Sequence, residues 1–165
     1  MHVIRLATLA DLEGIAQLLQ ENAPSQGGSL TGEFPTEKVA AMLSAAICTV
    51  VAVREDKVVG VLFSTDAHRL ADAPPVQAML RTWPGSRGAY VYGPVCVAQT
   101  ARGTGLPRKL YASLRQALPG REAILFIRED NAASLTAHLR LGMREVASFT
   151  LDGLAYSVLS DAPLA

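Results

Sequence analysis

The sequence predicts a mixed α/β fold in a single domain, and three observations support this prediction. Its 165 residues fit one domain without an evident linker or internal repeat. Apolar runs of strand length alternate with segments whose apolar residues recur at helical spacing. Near the centre, over residues 89–141, a strand, a glycine turn, a helix, a second strand and a second helix follow one another. We therefore expect one domain over residues 1–165.

The first half of the chain predicts two helices between an initial strand and a hairpin. The first helix covers residues 9–19 and stops before Pro24. The second runs to Ala46, with Thr36 as its N-cap. Strands are predicted over residues 3–6, 49–53 and 58–63.

The second half opens with a long connection over residues 67–88, which contains a short helix around residues 76–80. A connection of this length inside a small domain is often functional. The strand that follows is interrupted at Gly93-Pro94, where we expect a bulge, a bend or a sheet edge. Further strands are predicted over residues 123–127, 146–151 and 155–159, and further helices over residues 106–118 and 132–141. Asn131 and Gly142 suit the two ends of the last helix.

Charge and hydropathy narrow the classes of partner. Fifteen basic and fifteen acidic side chains give zero net charge, so we expect no nucleic-acid partner. No run reaches the roughly 18 apolar residues of a membrane span, and residues 1–11 lack a signal peptide. The expected location is the cytoplasm. The 50% hydrophobic content fits a homodimer interface and fits a large core equally well.

The two cysteines, Cys48 and Cys96, lie in apolar strand-like runs. We interpret both as buried thiols, and we expect no disulfide and no metal site.

A glycine turn is the strongest candidate for chemistry. Gly103 and Gly105 follow a strand and precede a helix, whose first N–H groups suit a phosphate or pyrophosphate. Arg102 adds a cation, and Arg108 can help from the first turn. Such a turn also occurs in proteins with no ligand, so both readings stay open on the local sequence. The chain lacks a P-loop and a complete G-x-G-x-x-G, which favours a pyrophosphate ligand other than ATP or NAD.

Two segments together resemble the GCN5-related N-acetyltransferase (GNAT) superfamily. Residues 97–106, Val-Ala-Gln-Thr-Ala-Arg-Gly-Thr-Gly-Leu, are similar to its coenzyme-binding segment Gln/Arg-x-x-Gly-x-Gly/Ala, with Arg102 and Gly105 in the first and fourth positions. Downstream, Asn131 opens a helix that ends in Leu-Gly-Met at residues 141–143, where the family has Leu-Gly-Phe. The resemblance is specific over residues 89–143, and the first half matches only in the order of its elements.

The resemblance implies a mixed sheet of six to seven strands, flanked by about four helices, with two splayed parallel strands that bind acetyl-CoA. Backbone groups of Val95, Cys96 and Val97 would pair with the pantetheine arm. Amides of Gly103, Thr104, Gly105 and Leu106 would hold the pyrophosphate. Asn131 and Ser134 would lie near the far end of the arm.

The sequence departs from the family pattern at two positions. Pro107 occupies the last motif position, where it removes one phosphate donor but is tolerated in a first helical turn. His138 stands where the family often has a tyrosine, the general acid toward the departing thiolate. It shares a helix face with Asn131 and Ser134, and either donates that proton or simply packs in the helix.

The implied reaction is direct transfer of an acetyl group from acetyl-CoA to a primary amine of a small molecule or peptide. A backbone N–H near Val97 would stabilise the oxyanion. Glu33 and Glu129 are candidate bases or plain surface charges, while Tyr90 and Tyr92 fit the core or a pocket wall better than proton transfer.

The acceptor is not readable from the sequence. Residues 24–35 and 67–88, with His68 and Trp83 in the second loop, are expected to border it. Two alternatives remain: a non-catalytic acyl-CoA sensor, which the histidine at position 138 keeps open, and a structural domain that binds no CoA.

Overall fold

The structure, a computed structural model, describes residues 1–70 and 72–163. Within them the chain forms seven strands and five α-helices. The strands are β1 (Val3–Leu6), β2 (Cys48–Arg54), β3 (Lys57–Asp66), β4 (Tyr90–Val97), β5 (Ala123–Arg128), β6 (Arg144–Leu151) and β7 (Leu154–Ser160). The helices are α1 (Leu12–Glu21), α2 (Thr36–Ala45), α3 (Pro74–Thr82), α4 (Leu106–Ala117) and α5 (Ala132–Arg140).

All seven strands belong to one mixed sheet in the order β1-β2-β3-β4-β5-β7-β6. β4 and β5 pair in parallel, with Tyr90 opposite Ala123 and Val91 opposite Ile124. The flanking pairs β1–β2, β2–β3, β5–β7 and β6–β7 are antiparallel. The predicted mixed α/β sheet is confirmed, and α3 is the short helix expected in the long connection.

The described residues cluster into two compact units. The first unit comprises Met1–Ser64 and Gly93–Pro119. Its core includes the four-residue repeat of α4, in which Leu106, Leu110 and Leu114 are fully buried. A Cβ at Gly60 would lie 3.3 Å from Leu110 Cδ1, so a glycine on β3 lets this helix approach the hairpin closely.

The second unit comprises Thr65–Tyr92 and Gly120–Ala165. Here α3 packs against β5 and β6, and its Val76 and Met79 join Ile124 and Val158 in one apolar core. β5 is buried along most of its length, as its unbroken apolar run predicts.

Four local predictions need correction. Pro35, not Thr36, is the N-cap of α2, because the helix already includes Thr36. Residues 9–11 form a 3-10 turn, so α1 begins only at Leu12. Gly93-Pro94 lies within β4 as a cis peptide, and β4 is an internal strand, which excludes the predicted sheet edge. Cys48 is half-buried because it begins β2 at the end of the strand, whereas Cys96 is buried as predicted.

Candidate active site

The glycine turn between β4 and α4 has the conformation that its sequence predicts. Gly103 and Gly105 have left-handed φ angles of 78° and 77°, and Gly105 is the N-cap of α4. A Cβ at either position would meet no heavy atom within 4 Å. The requirement for glycine is therefore conformational rather than steric.

The turn presents the amino end of α4 at an exposed surface. Residues 102–105 are exposed, while Leu106 is buried and anchors the helix. Thr104 Oγ1 donates a hydrogen bond to the carbonyl oxygen of Ala101 at 2.5 Å, which stabilises the turn. The first N–H groups of a helix lack intrahelical partners and carry partial positive charge, so this end suits a diphosphate. Pro107, in the first turn of α4, contributes no such donor.

The Arg102 side chain is held by a residue that the sequence analysis missed. Its Nη2 donates to Asn22 Oδ1 at 3.1 Å, and Asn22 Nδ2 donates to the carbonyl oxygen of Leu18 at 2.9 Å. The second bond fixes which end of the amide faces Arg102. Both residues belong to the first unit, and Arg102 itself is exposed.

The residues that we predict to contact the pantetheine arm lie in the carboxyl half of β4. Val95 and Val97 are half-buried, and Cys96 is buried between them. Burial raises the pKa of the Cys96 thiol to about 12, so the thiol stays protonated near neutral pH. This supports a packing role for Cys96 rather than a nucleophilic one. Arg108 lies exposed in the first turn of α4.

The second unit brings together the predicted residues of α5. Asn131 caps the helix, because its Oδ1 accepts a hydrogen bond from the Ser134 N–H at 3.2 Å. His138 is only 4% exposed, and its Nδ1 lies 2.8 Å from the Ser134 carbonyl oxygen and 3.3 Å from Ser134 Oγ. Its Nε2 lies 3.1 Å from the hydroxyl oxygen of Tyr92 on β4. Like Asn22, Tyr92 was not predicted from the sequence as a partner of a candidate site residue.

Burial lowers the pKa of His138, and the hydrogen bond to the Ser134 backbone offsets part of this effect. The imidazole is therefore mainly neutral near pH 7.

The two candidate bases lie in different surroundings. The Glu33 carboxylate accepts hydrogen bonds from Ser25 N at 3.1 Å and Ser25 Oγ at 2.5 Å, so it closes the loop over residues 24–35. Glu129 is exposed after β5. Both roles stay predictions.

In the long connection, the backbone N–H of the exposed His68 donates a hydrogen bond to Asp66 Oδ1 at 2.9 Å. Further along, Trp83 Nε1 donates a hydrogen bond to Glu122 Oε2 at 2.8 Å. Glu122 is 6% exposed and also accepts from Ser86 N at 2.6 Å and from the Ser160 hydroxyl. This carboxylate fixes the loop after α3 and was not singled out in the sequence.

Across residues 1–70 and 72–163, no three histidine, cysteine or acidic side chains gather in a way that could hold a metal ion. No helix in that part of the chain is long and apolar enough to cross a membrane.

No family model and no curated protein sequence matches the chain significantly. Solved structures do match it. The ribosomal-protein-S18-alanine N-acetyltransferase of Escherichia coli is 15% identical with a TM-score of 0.69, over 97% of this chain and 92% of that one. A ribosomal-protein-alanine N-acetyltransferase of Brucella melitensis is 23% identical with a TM-score of 0.70, over 96% and 98%. A GNAT-superfamily phosphinothricin acetyltransferase of Sinorhizobium meliloti, in complex with acetyl-CoA, is 20% identical with a TM-score of 0.73, over 96% and 86%. These similarities establish that the chain has the GNAT fold.

Proposed function

We propose that the chain is an N-acetyltransferase of the GNAT superfamily, which moves an acetyl group from acetyl-CoA directly to a primary amine. The observation that carries this proposal is the Arg102–Gly105 turn, which joins β4 to α4 in a GNAT fold and lies exposed at the amino end of that helix. A fold alone does not define a function, and it is this site that supports the proposal.

The first unit would hold the coenzyme through its backbone. Amides of residues 103–106 would bind the diphosphate, and the side chains of Arg102 and Arg108 would add positive charge. Main-chain groups of Val95, Cys96 and Val97 would pair with the pantetheine arm. The Asn22 contact keeps the Arg102 guanidinium near the turn before the ligand arrives.

Acyl transfer needs a neutral amine and a donor for the developing oxyanion. We assign the oxyanion contact to the backbone N–H near Val97, which would contribute on the order of a few kcal/mol to the transition state. Proton transfer is assigned to His138 on α5. No covalent enzyme intermediate is required, in keeping with the protonated Cys96 thiol.

A second candidate function is a non-catalytic acyl-CoA sensor. The burial of His138 in its neutral form favours it, because the residue that replaces the family's tyrosine is not exposed. Acyl-CoA binding without turnover distinguishes this candidate from the enzyme.

The structural neighbours suggest which acceptors to test first. Two of them are named for the alanine of a ribosomal protein and one for phosphinothricin. A first panel therefore includes a peptide with an N-terminal alanine, phosphinothricin, free amino acids and a polyamine. We propose that the acceptor is a small-molecule or peptide amine; the homodimer stays a prediction.

The experiment combines calorimetric titration of CoA with a free-thiol release assay on this panel. We expect CoA binding, thiol release with at least one amine, and CoA affinity at least about tenfold lower in Arg102→Ala, because a charged contact to phosphate is lost. Arg115→Ala is the matched control, since Arg115 lies in the last turn of the same helix. Absence of CoA binding by the unsubstituted protein would refute the proposal.

A further inference from the structure

The two ring nitrogens of His138 have different partners, and these partners determine where its proton lies. The Ser134 carbonyl oxygen, 2.8 Å from Nδ1, can only accept a hydrogen bond, so Nδ1 carries the hydrogen. In the neutral ring Nε2 is then unprotonated and can only accept. Its partner at 3.1 Å is the Tyr92 hydroxyl, which must donate.

The surroundings of the ring support this arrangement. Tyr92 on β4 meets the imidazole edge-on, with ring centroids 5.3 Å apart and planes at 87°. From α5, the ring faces the carbonyl and hydroxyl oxygens of Ser134. Both residues are 4% exposed. The titratable group that faces Nε2 is thus the Tyr92 phenol.

In this protonation state His138 has no hydrogen available for donation to the departing thiolate. The Nδ1 hydrogen is engaged with a backbone carbonyl, and Nε2 has none. The ring can take up a proton only at Nε2, and the Tyr92 hydroxyl stands in front of that atom. The sequence-based role, donation of a proton to the departing thiolate, needs the opposite protonation state.

We propose that His138 acts through the Tyr92 hydroxyl and withdraws a proton from the acceptor ammonium. The inference rests on the proposed acetyltransferase function. The ammonium N–H would pass its proton to the Tyr92 oxygen while the hydroxyl proton of Tyr92 passes to His138 Nε2. The products are a neutral amine, an intact Tyr92 phenol and an imidazolium, so charge and protons balance without a further reactant. Tyr92 is the group that would face the substrate, and His138 is a positioning residue behind it.

A double-mutant cycle tests this order of action with acetyl-CoA and the best amine of the panel. Tyr92→Phe removes the hydroxyl. His138→Asn removes the titrating nitrogen and retains an N–H for the Ser134 carbonyl. We expect each variant to lower kcat/KM by about 100-fold, and the double variant to be within about twofold of either, because the residues act in series. The acidic limb of the kcat/KM–pH profile should disappear in all three variants.

Tyr90→Phe is the matched control, since it removes a hydroxyl from a fully buried tyrosine two residues earlier on the same strand. It should keep both activity and the acidic limb. Thermal unfolding of every variant identifies any loss that comes from misfolding.

Nitrogen-15 NMR of the histidine rings tests the geometry independently of turnover. At pH 7.5 we expect His138 Nδ1 to be protonated and Nε2 to be unprotonated. The Nε2 resonance should move in Tyr92→Phe and stay in Tyr90→Phe.

Three outcomes would overturn the inference: a protonated Nε2 in the neutral ring, a Tyr92→Phe variant with activity within about threefold of the unsubstituted protein, or multiplicative losses in the double variant. Absence of turnover by the unsubstituted protein would instead refute the enzymatic function itself.

Discussion

Pro107 is the residue at which the glycine turn departs from the GNAT motif that it resembles, and its effect on the proposed coenzyme binding can be measured directly. It lies in the first turn of α4, where an N–H would otherwise point at the proposed diphosphate. We expect Pro107→Ala to tighten CoA binding by about three- to tenfold, the worth of one added hydrogen bond of ordinary strength. Calorimetric titration measures this change.

Pro74→Ala supplies the control for Pro107→Ala, because Pro74 occupies the first turn of α3, outside the proposed site. Its CoA affinity should not change. Equal or weaker binding by Pro107→Ala would show that the missing donor does not limit affinity.

The residues of the site divide into those that local sequence predicts and those that it cannot. The glycines of the turn and the Asn131 cap were predictable, because each acts on a neighbour one to three residues away. Asn22 and Tyr92 were missed as functional partners. Their contacts join residues 80 and 46 positions apart, so only the folded chain brings them together.

At the scale of elements, the loop after α3 is tied to the start of β5 by Glu122. Burial alone would raise the pKa of this carboxyl, but hydrogen bonds from Ser160, Trp83 and Ser86 outweigh it and lower the pKa below its ordinary value. Because the folded-state pKa lies below the unfolded one, these bonds contribute their full stability above the unfolded pKa. That stability is lost as the pH falls through the folded value.

We expect Glu122→Gln to lower the free energy of unfolding at pH 7 by about 1–3 kcal/mol, since an ionised acceptor of several hydrogen bonds is lost. The variant should also lose less stability than the unsubstituted protein between about pH 5 and about pH 3. Urea unfolding at several pH values measures both effects. Glu145→Gln, at an exposed position of β6, is the control and should change little. Parallel stability–pH curves for Glu122→Gln and the unsubstituted protein would contradict this account.

Most elements were predictable because their signals are local. The four-residue leucine repeat of α4 and the hairpin turn at Asp152 and Gly153, with φ angles of 51° and 78°, are such signals. The exact ends of the elements and the position of a strand in the sheet were harder to predict. Residues 9–11 form a 3-10 turn that local contacts between Thr8 and Asp11 cap, although Leu9 has helical spacing. Whether β4 is an edge strand depends on which strands pair with it, and those are distant in sequence.

At the scale of the whole molecule, the path of the chain predicts that the two compact units unfold together. The chain passes from one unit to the other after Ser64, after Tyr92 and after Pro119. The first two passages lie within β3 and β4, so each of these strands begins in one unit and ends in the other. Unfolding either unit alone would leave a strand of the other incomplete, so we expect the two units to unfold in one transition.

Thermal unfolding tests this cooperativity, because the proposed ligand and the fluorescent reporter lie in different units. Trp83, the one tryptophan of the chain, belongs to the second unit, and the glycine turn belongs to the first. CoA at about 100 times its Kd would stabilise the folded state by about 2.7 kcal/mol. If the units unfold together, the midpoint of the Trp83 fluorescence transition should rise by about 5–10 °C, in step with far-UV circular dichroism. Arg102→Ala at the same CoA concentration is the control, and its shift should be smaller. A tryptophan transition that stays in place while the circular dichroism transition splits would show two independently folding domains.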